Sequence, residues 1–400
     1  MDYARQFIFA SNPLRLSVRQ WLVAGGVLGI VLVGVPCLAL RLDPFVPGPD
    51  YRLPYDFSQD YWQCGRWIDD AAARDAVLVM GDSVVWGEYV APGDALSGEL
   101  NRLVGTQRFA NLGVNGLHPV ALLGLLQRLG GPIRDRDVVL VLNLLWMSSP
   151  RHDLRAAPAA GEGEQVVLNH PALVPQFWPV VPRYGAGFEQ RAGTVVGRRV
   201  PFLSWASHLD ATGAYGDSLL AESAEAPGAG GPQPGAGPEP EPRIDDPTPA
   251  ACRGLFVAVP PPSPSPHGQP LTWEARGVPV SRIDWPLAEQ SLQWRFFRGA
   301  VEYLLARGNR VCVLVAPFNP YVQVPESRAR YDGLVADMVG WLEAQGGLVV
   351  IRAEPLPGNE YADASHPLAA GYARLAGELA ADPRFRPWFT GGAPALAARQ

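Results

Sequence analysis

Two short stretches, far apart in the chain, carry residues suited to covalent chemistry. Gly81-Asp82-Ser83 ends an apolar run, and Asp363-Ala364-Ser365-His366-Pro367 lies near the C-terminus. A serine hydroxyl is a weak nucleophile near neutral pH and needs a base. Histidine is the natural base, and its second ring nitrogen needs an acceptor to orient it. Asp363 and His366, three residues apart on one turn, can meet without a distant partner. Together with Ser83 they predict nucleophilic acyl chemistry, with Ser83 attacking, His366 as base and Asp363 as its orienter. Each stretch alone has a plainer reading, in which Asp82, Ser83 or Asp363 caps a helix and His366 is a surface residue. The combination of a strand-end serine with a late Asp-x-x-His favours the chemical reading. A third stretch, Asn111-Leu112-Gly113-Val114-Asn115-Gly116, has glycines that let a backbone N–H face a developing oxyanion. Alone it is a strand-to-helix turn.

These residues need a frame. Ala76–Met80 is a short apolar run ended by Gly81, which reads as a buried parallel strand. Asp94 is placed to cap a helix carrying Leu96, Leu100 and Leu103. Phe109–Leu112 reads as a second strand, and Val120, Leu123 and Leu126 mark a second helix. Val138–Leu142 is a third strand. After a long irregular stretch the pattern resumes with a helix over Leu287–Arg307. A fourth strand follows at Arg310–Val315, then a helix over Glu326–Gln345 and a fifth strand at Gly347–Ile351. The last predicted helix is Leu368–Ala380, with Pro367 at its first position. Alternating strands and helices predict an α/β domain with a doubly wound sheet. Catalytic groups in such sheets gather at the carboxyl ends of the strands, where Ser83 falls.

With Gly-Asp-Ser early, Asn-x-Gly-x-x-Gly next and Asp-x-x-His late, the sequence resembles the SGNH/GDSL hydrolases over residues 76 to 150 and 286 to 380. The resemblance implies a flavodoxin-like sheet and the roles already given to Ser83, His366 and Asp363. It further implies an oxyanion hole from the N–H groups of Ser83 and Gly116. The family's third donor is an Asn in a Gly-x-Asn-Asp motif. This chain has Leu142-Asn143-Leu144-Leu145-Trp146 instead, so Asn143 is a candidate donor or, equally, a buried strand-end amide. The departure, with the membrane segment described next, is similar to the anchored SGNH proteins that work beside multi-spanning membrane-bound O-acyltransferases. Those act in alginate O-acetylation or teichoic acid D-alanylation. The resemblance implies acyl transfer, with acetyl the expected group, to a cell-surface or exopolysaccharide glycan and no cofactor. Trp62, Trp86 and Trp146 are candidates to flank the site, Trp86 and Trp146 to stack on sugar rings, although core packing is the commoner fate of tryptophan. Two other functions stay open: an esterase on glycan or lipid esters, and a non-catalytic glycan-binding or scaffolding partner.

Trp21–Leu40 is an uncharged apolar run long enough to cross a bilayer core. Arg5, Arg15 and Arg19 precede it, so the positive-inside bias keeps the N-terminus in the cytoplasm and exports the rest. A cleaved signal peptide is the competing reading; the long run and the lack of a clear cleavage site favour an uncleaved anchor. The expected organisation is a cytoplasmic N-terminus (1–20), a membrane anchor (21–40) and an extracytoplasmic lead-in (41–75). A catalytic domain (76–150 and 286–390) then encloses an insertion (151–285). The setting is the inner, cytoplasmic membrane, crossed once, with the domain on the periplasmic side. Residues 222–250, rich in Pro, Gly, Ala and Glu, are expected to be disordered. The net charge of −6 and the 18% of charged residues argue against a nucleic-acid partner. Every basic residue is Arg. The four cysteines show no C-x-x-C or His/Cys cluster, which predicts no metal site. Cys64 and Cys252 are candidates to pair in an oxidising compartment.

Overall fold

The computed structural model describes residues 16–43, 45–153, 168–182, 184–212 and 270–390. Residues 222–250, Cys252, Arg5 and Arg15 lie outside them. Five strands form one sheet: β1 (Val77–Gly81), β2 (Phe109–Gly113), β3 (Asp137–Leu142), β4 (Arg310–Val315) and β5 (Leu348–Arg352). All neighbours are parallel, in the order β2-β1-β3-β4-β5. The continuous apolar runs follow from burial on both faces. Side chains alternate across the sheet. Leu78, Met80, Val138, Leu140, Val311 and Val313 pack on one side against the helices Tyr61–Ala73, Pro119–Leu129, Leu292–Ala306 and Pro325–Ala344. Val77, Val79, Val139, Val141, Cys312 and Leu314 pack on the other against Leu96–Val104, Ala369–Ala381 and Arg386–Thr390. Gly81 pairs with Gly113 at the carboxyl ends of β1 and β2. The chain leaves β1 toward β2 and returns to β3 on the other side, so a crevice opens between β1 and β3 at their carboxyl ends.

Several boundaries differ from the sequence expectations. Asp94 caps nothing: it ends a 3-10 turn, Ala95 is the cap residue, and Asp94 pairs with Arg102. The helix expected from Leu287 begins at Leu292, capped by Ser291, after a separate turn at Ala288–Gln290. Pro367 is not at a helix start. It bridges to Tyr361, and the helix begins at Ala369 with Leu368 as its cap. A further helix, Arg386–Thr390, follows it.

Val18–Leu42 is one helix of 25 residues, long and apolar enough to cross a membrane. Ser17 and Gln20 form a capping box at its start. Its Ile30–Gly34 stretch is π-helical and ends two residues before Pro36. Proline lacks the N–H that would bond back one turn and its ring crowds that carbonyl, so the helix widens there. Asp43, the cap at the far end, accepts from Arg66 of the Tyr61–Ala73 helix at 2.6 Å, and the same guanidinium bonds the Asp43 carbonyl. Cys64 on that helix is buried, and burial pushes its thiol up to about 12.

Of the described residues between β3 and β4, 168–182 and 184–212 lean on the sheet domain. His170 bridges the Asn115 carbonyl and the Tyr61 hydroxyl. His208 meets Asp60, the cap of the Tyr61–Ala73 helix, at 2.6 Å. Gly124 admits the Leu173 carbonyl so closely that a Cβ there would lie 1.9 Å from it. In an ordinary helix interior Gly→Ala stabilises by about 1 kcal/mol. Here Gly124→Ala is expected to destabilise instead, by about 2 kcal/mol, lowering the melting temperature by about 5 °C. Tryptophan fluorescence during heating reads this, and an unchanged or higher midpoint would mean that Leu173 does not sit on that helix.

Candidate active site

Ser83 opens a four-residue helix, Ser83–Trp86, directly after β1. Asp82 caps it, accepting from the Val84 N–H at 3.0 Å. The turn needs clearance rather than an unusual φ at Gly81, where a Cβ would lie 2.6 Å from Val85 Cγ2. On β2, a Cβ at Gly113 would lie 2.3 Å from the Trp86 nitrogen. The small residues at both strand ends therefore let the helix sink into the sheet rim. Its carbonyls and those of the loop after it are held from several sides. Asn111 Nδ2 donates to Val85, the Tyr372 hydroxyl to Val84, and Arg52 to Trp86, Gly87 and Val90. Asn111 thus has a fastening role.

The late stretch folds as a tight turn. Asp363 Oδ1 accepts from the N–H groups of Ser365 and His366, and Asn319 holds the turn by donating to the carbonyls of Asp363 and Ala364. The turn delivers His366 to Ser83: Nε2 lies 2.8 Å from Ser83 Oγ. On the other side of the ring, Nδ1 lies 2.9 and 2.8 Å from the two Asp363 oxygens. Burial pushes the His366 imidazole down, but Asp363 and Glu88 push it up by more, and it ends well above the ordinary histidine value. Burial pushes the Asp363 carboxyl up, yet the His366 charge and three hydrogen bonds hold it well below the carboxylate range. Such an arrangement can move a proton from a hydroxyl to a ring nitrogen and stabilise the resulting imidazolium.

The other candidates divide. Asn143 reaches the crevice, but its Nδ2 donates to Asp82 at 2.7 Å and to Ser365 Oγ at 3.4 Å, so its amide already has two partners. Trp146 is half-buried beside it, its indole N–H on Asp82 at 2.7 Å. Burial pushes the Asp82 carboxyl up, against the His366 charge and these donors. Gly116 has φ 72°, the left-handed region glycine favours, at the turn after β2. Trp86 is a correction: it is fully buried, its N–H donates to the Leu53 carbonyl, and the Arg52 guanidinium covers its ring at 3.7 Å. It offers no face to a sugar. Trp62 is half-buried on the Tyr61–Ala73 helix.

The sequence reading missed the loop after the Ser83–Trp86 helix. Glu88 Oε2 lies 3.1 Å from His366 Nε2. The Tyr89 ring stands edge-on to the imidazole at 5.4 Å, and Arg276 covers Tyr89 at 4.4 Å. Isolated acidic and aromatic loop residues belong to no motif, and only their position five and six residues beyond Ser83 hinted at proximity. No protein-family model matches the chain, and no curated protein matches it.

Proposed function

We propose that the chain is a membrane-anchored, exported SGNH-type serine O-acyltransferase that moves an acyl group, acetyl in the simplest case, onto a surface glycan. The observation that carries this reading is the unbroken chain from Ser83 Oγ through both nitrogens of His366 to Asp363, with heavy-atom distances of 2.8 to 2.9 Å. The strand order β2-β1-β3-β4-β5 agrees with a flavodoxin-like sheet. The apolar helix Val18–Leu42 in front of the domain agrees with an anchor.

In this mechanism His366 Nε2 takes the Ser83 proton as Oγ attacks the acyl carbonyl. The tetrahedral oxyanion rests on the N–H groups of Ser83 and Gly116, with the Asn143 amide turning from Asp82 as a third donor. His366 then protonates the leaving group. A sugar hydroxyl replaces it, gives its proton to His366, and takes the acyl group from Ser83, whose Oγ takes that proton back from His366 as it leaves. A multi-spanning acyltransferase is the natural donor partner, since the acyl group must cross the membrane.

The test is a burst experiment with p-nitrophenyl acetate and the detergent-solubilised chain. At alkaline pH, acetylation of Ser83 should release about one equivalent of nitrophenol in a first phase, followed by slower turnover. Oligosaccharide acceptors should raise that turnover by about tenfold and appear as O-acetyl esters by mass spectrometry. Acetate as the sole product, at a rate that no acceptor changes, would make the chain an esterase instead.

A further inference from the structure

Both ring nitrogens of His366 face a carboxylate. Asp363 takes Nδ1, while Glu88 Oε2 lies 3.1 Å from Nε2, the atom that Ser83 Oγ also approaches at 2.8 Å. The pair is largely shielded from solvent: the side chains of His366 and Glu88 are only 7% and 12% exposed. An ionised carboxylate has acceptor oxygens only. An Nε2 bearing a lone pair would repel it, so a proton lies between the two. That proton is either on the ring, giving an imidazolium, or on Glu88, whose O–H then occupies the lone pair. In both forms the lone pair needed to receive the Ser83 proton is taken.

We propose that Glu88 is a latch, which keeps His366 from serving Ser83 until an acceptor sugar draws the Glu88 side chain away. The inference rests on the acyl-transfer reading above and deepens it, because it supplies a reason for transfer to win over hydrolysis. Opening conserves charge. The N–H bond at Nε2 breaks and an O–H bond forms on Glu88 Oε2, so an imidazolium–carboxylate pair becomes imidazole and carboxylic acid. Ser83 Oγ–H, or the acceptor hydroxyl once Ser83 is acylated, then donates to the freed lone pair. A sugar with several hydroxyls can offer Glu88 new hydrogen bonds while it enters; a single water offers few.

The surroundings confine the motion to the side chain. Gly87 is in the left-handed region at φ 83°, and Arg52 bonds the carbonyls of Trp86, Gly87 and Val90, so the backbone on both sides of Glu88 is clamped. The other titratable groups around the pair are Asp82 behind His366, Tyr89 against the ring with Arg276 over it, and the Tyr55 and Tyr372 hydroxyls near Glu88. The imidazole stands well above its ordinary value, with Asp363 and Glu88 as the groups that raise it.

The experiment is the rate of Ser83 labelling by a fluorophosphonate, followed against pH on the full chain in detergent. It compares the unaltered protein with Glu88→Gln, Glu88→Ala and Ser83→Ala. Glu88→Gln keeps the shape of the side chain and guards against a folding defect in Glu88→Ala. Unaltered protein should label slowly at neutral pH and faster as pH rises through the raised imidazole value. Glu88→Ala should label about tenfold faster at neutral pH, and both variants, which remove the carboxylate charge, should lower the midpoint by about one pH unit. Hydrolysis of p-nitrophenyl acetate by Glu88→Ala should rise with its labelling. A midpoint unchanged in both variants, or Glu88→Ala labelling no faster than the unaltered protein, overturns the latch while leaving Ser83 as nucleophile. Labelling that persists in Ser83→Ala, or is absent from every form, removes the serine reading itself and the latch with it.

Discussion

Ser83→Ala is expected to abolish fluorophosphonate labelling and to cut ester turnover by about a millionfold, the loss seen when the nucleophile of such a triad is removed. The fold should survive. Ser83 Oγ is bonded to His366, but the short helix it opens is held by Asp82, Asn111, Tyr372 and Arg52 without it. The melting temperature should move by less than about 2 °C, in line with loss of one hydrogen bond. Mass spectrometry of the labelled peptide reads the result directly. A label that persists on another serine, with turnover intact, would move the chemistry away from the β1 rim.

Asp363→Asn should cost about a hundredfold less than that, by a different route. The substituted side chain keeps an oxygen for the N–H groups of Ser365 and His366, so the turn should still form. It also brings an N–H toward His366 Nδ1, which favours the tautomer with the proton on Nε2, the wrong nitrogen to receive the Ser83 proton. Glu88 beside Nε2 stabilises that same tautomer. Loss of about ten-thousandfold in turnover is expected. The carboxylate of Asp363 also raises the imidazole. Without it the ring loses its proton at lower pH, so the acid limb of the residual activity should shift down. A loss of less than about tenfold, with an unmoved pH profile, would leave Asp363 as a turn residue only.

The strands were legible because parallel strands buried on both faces read as apolar runs; those of β1, β3 and β4 are the clearest, while β2 is broken by Asn111 and β5 is partly exposed. Helix ends were less so. Asp94 has the right chemistry for a cap but falls in a 3-10 turn, and Pro367 serves a bridge rather than a helix start. Ser83, His366 and Asp363 could be brought together on paper because a strand end and a three-residue spacing constrain geometry. Which side of a four-residue helix faces the core has no such signal, and Trp86 was misplaced for that reason. Asn143 was readable as a strand-end amide near the crevice, but its commitment to Asp82 depends on Trp146 and Asp82 converging from different loops. Glu88 and Tyr89 matter through where one loop turns, and Gly87 and Arg52 decide that.

The bond between Arg66 and Asp43 and the clamp by Arg52 have a consequence for reach. Asp43 ends the apolar helix, and Arg52 is fastened to the loop after the Ser83 helix. Nine residues of chain span at most about 30 Å. With Val18–Leu42 in a bilayer, Ser83 is confined to a thin layer above the lipid. Under the proposed acyl transfer, a donor carried in the membrane would meet it by lateral diffusion, at a rate set by its density per unit area. A polysaccharide acceptor would then be modified only as it passes through that layer, so the tether would grade acylation along a growing strand by its height above the surface.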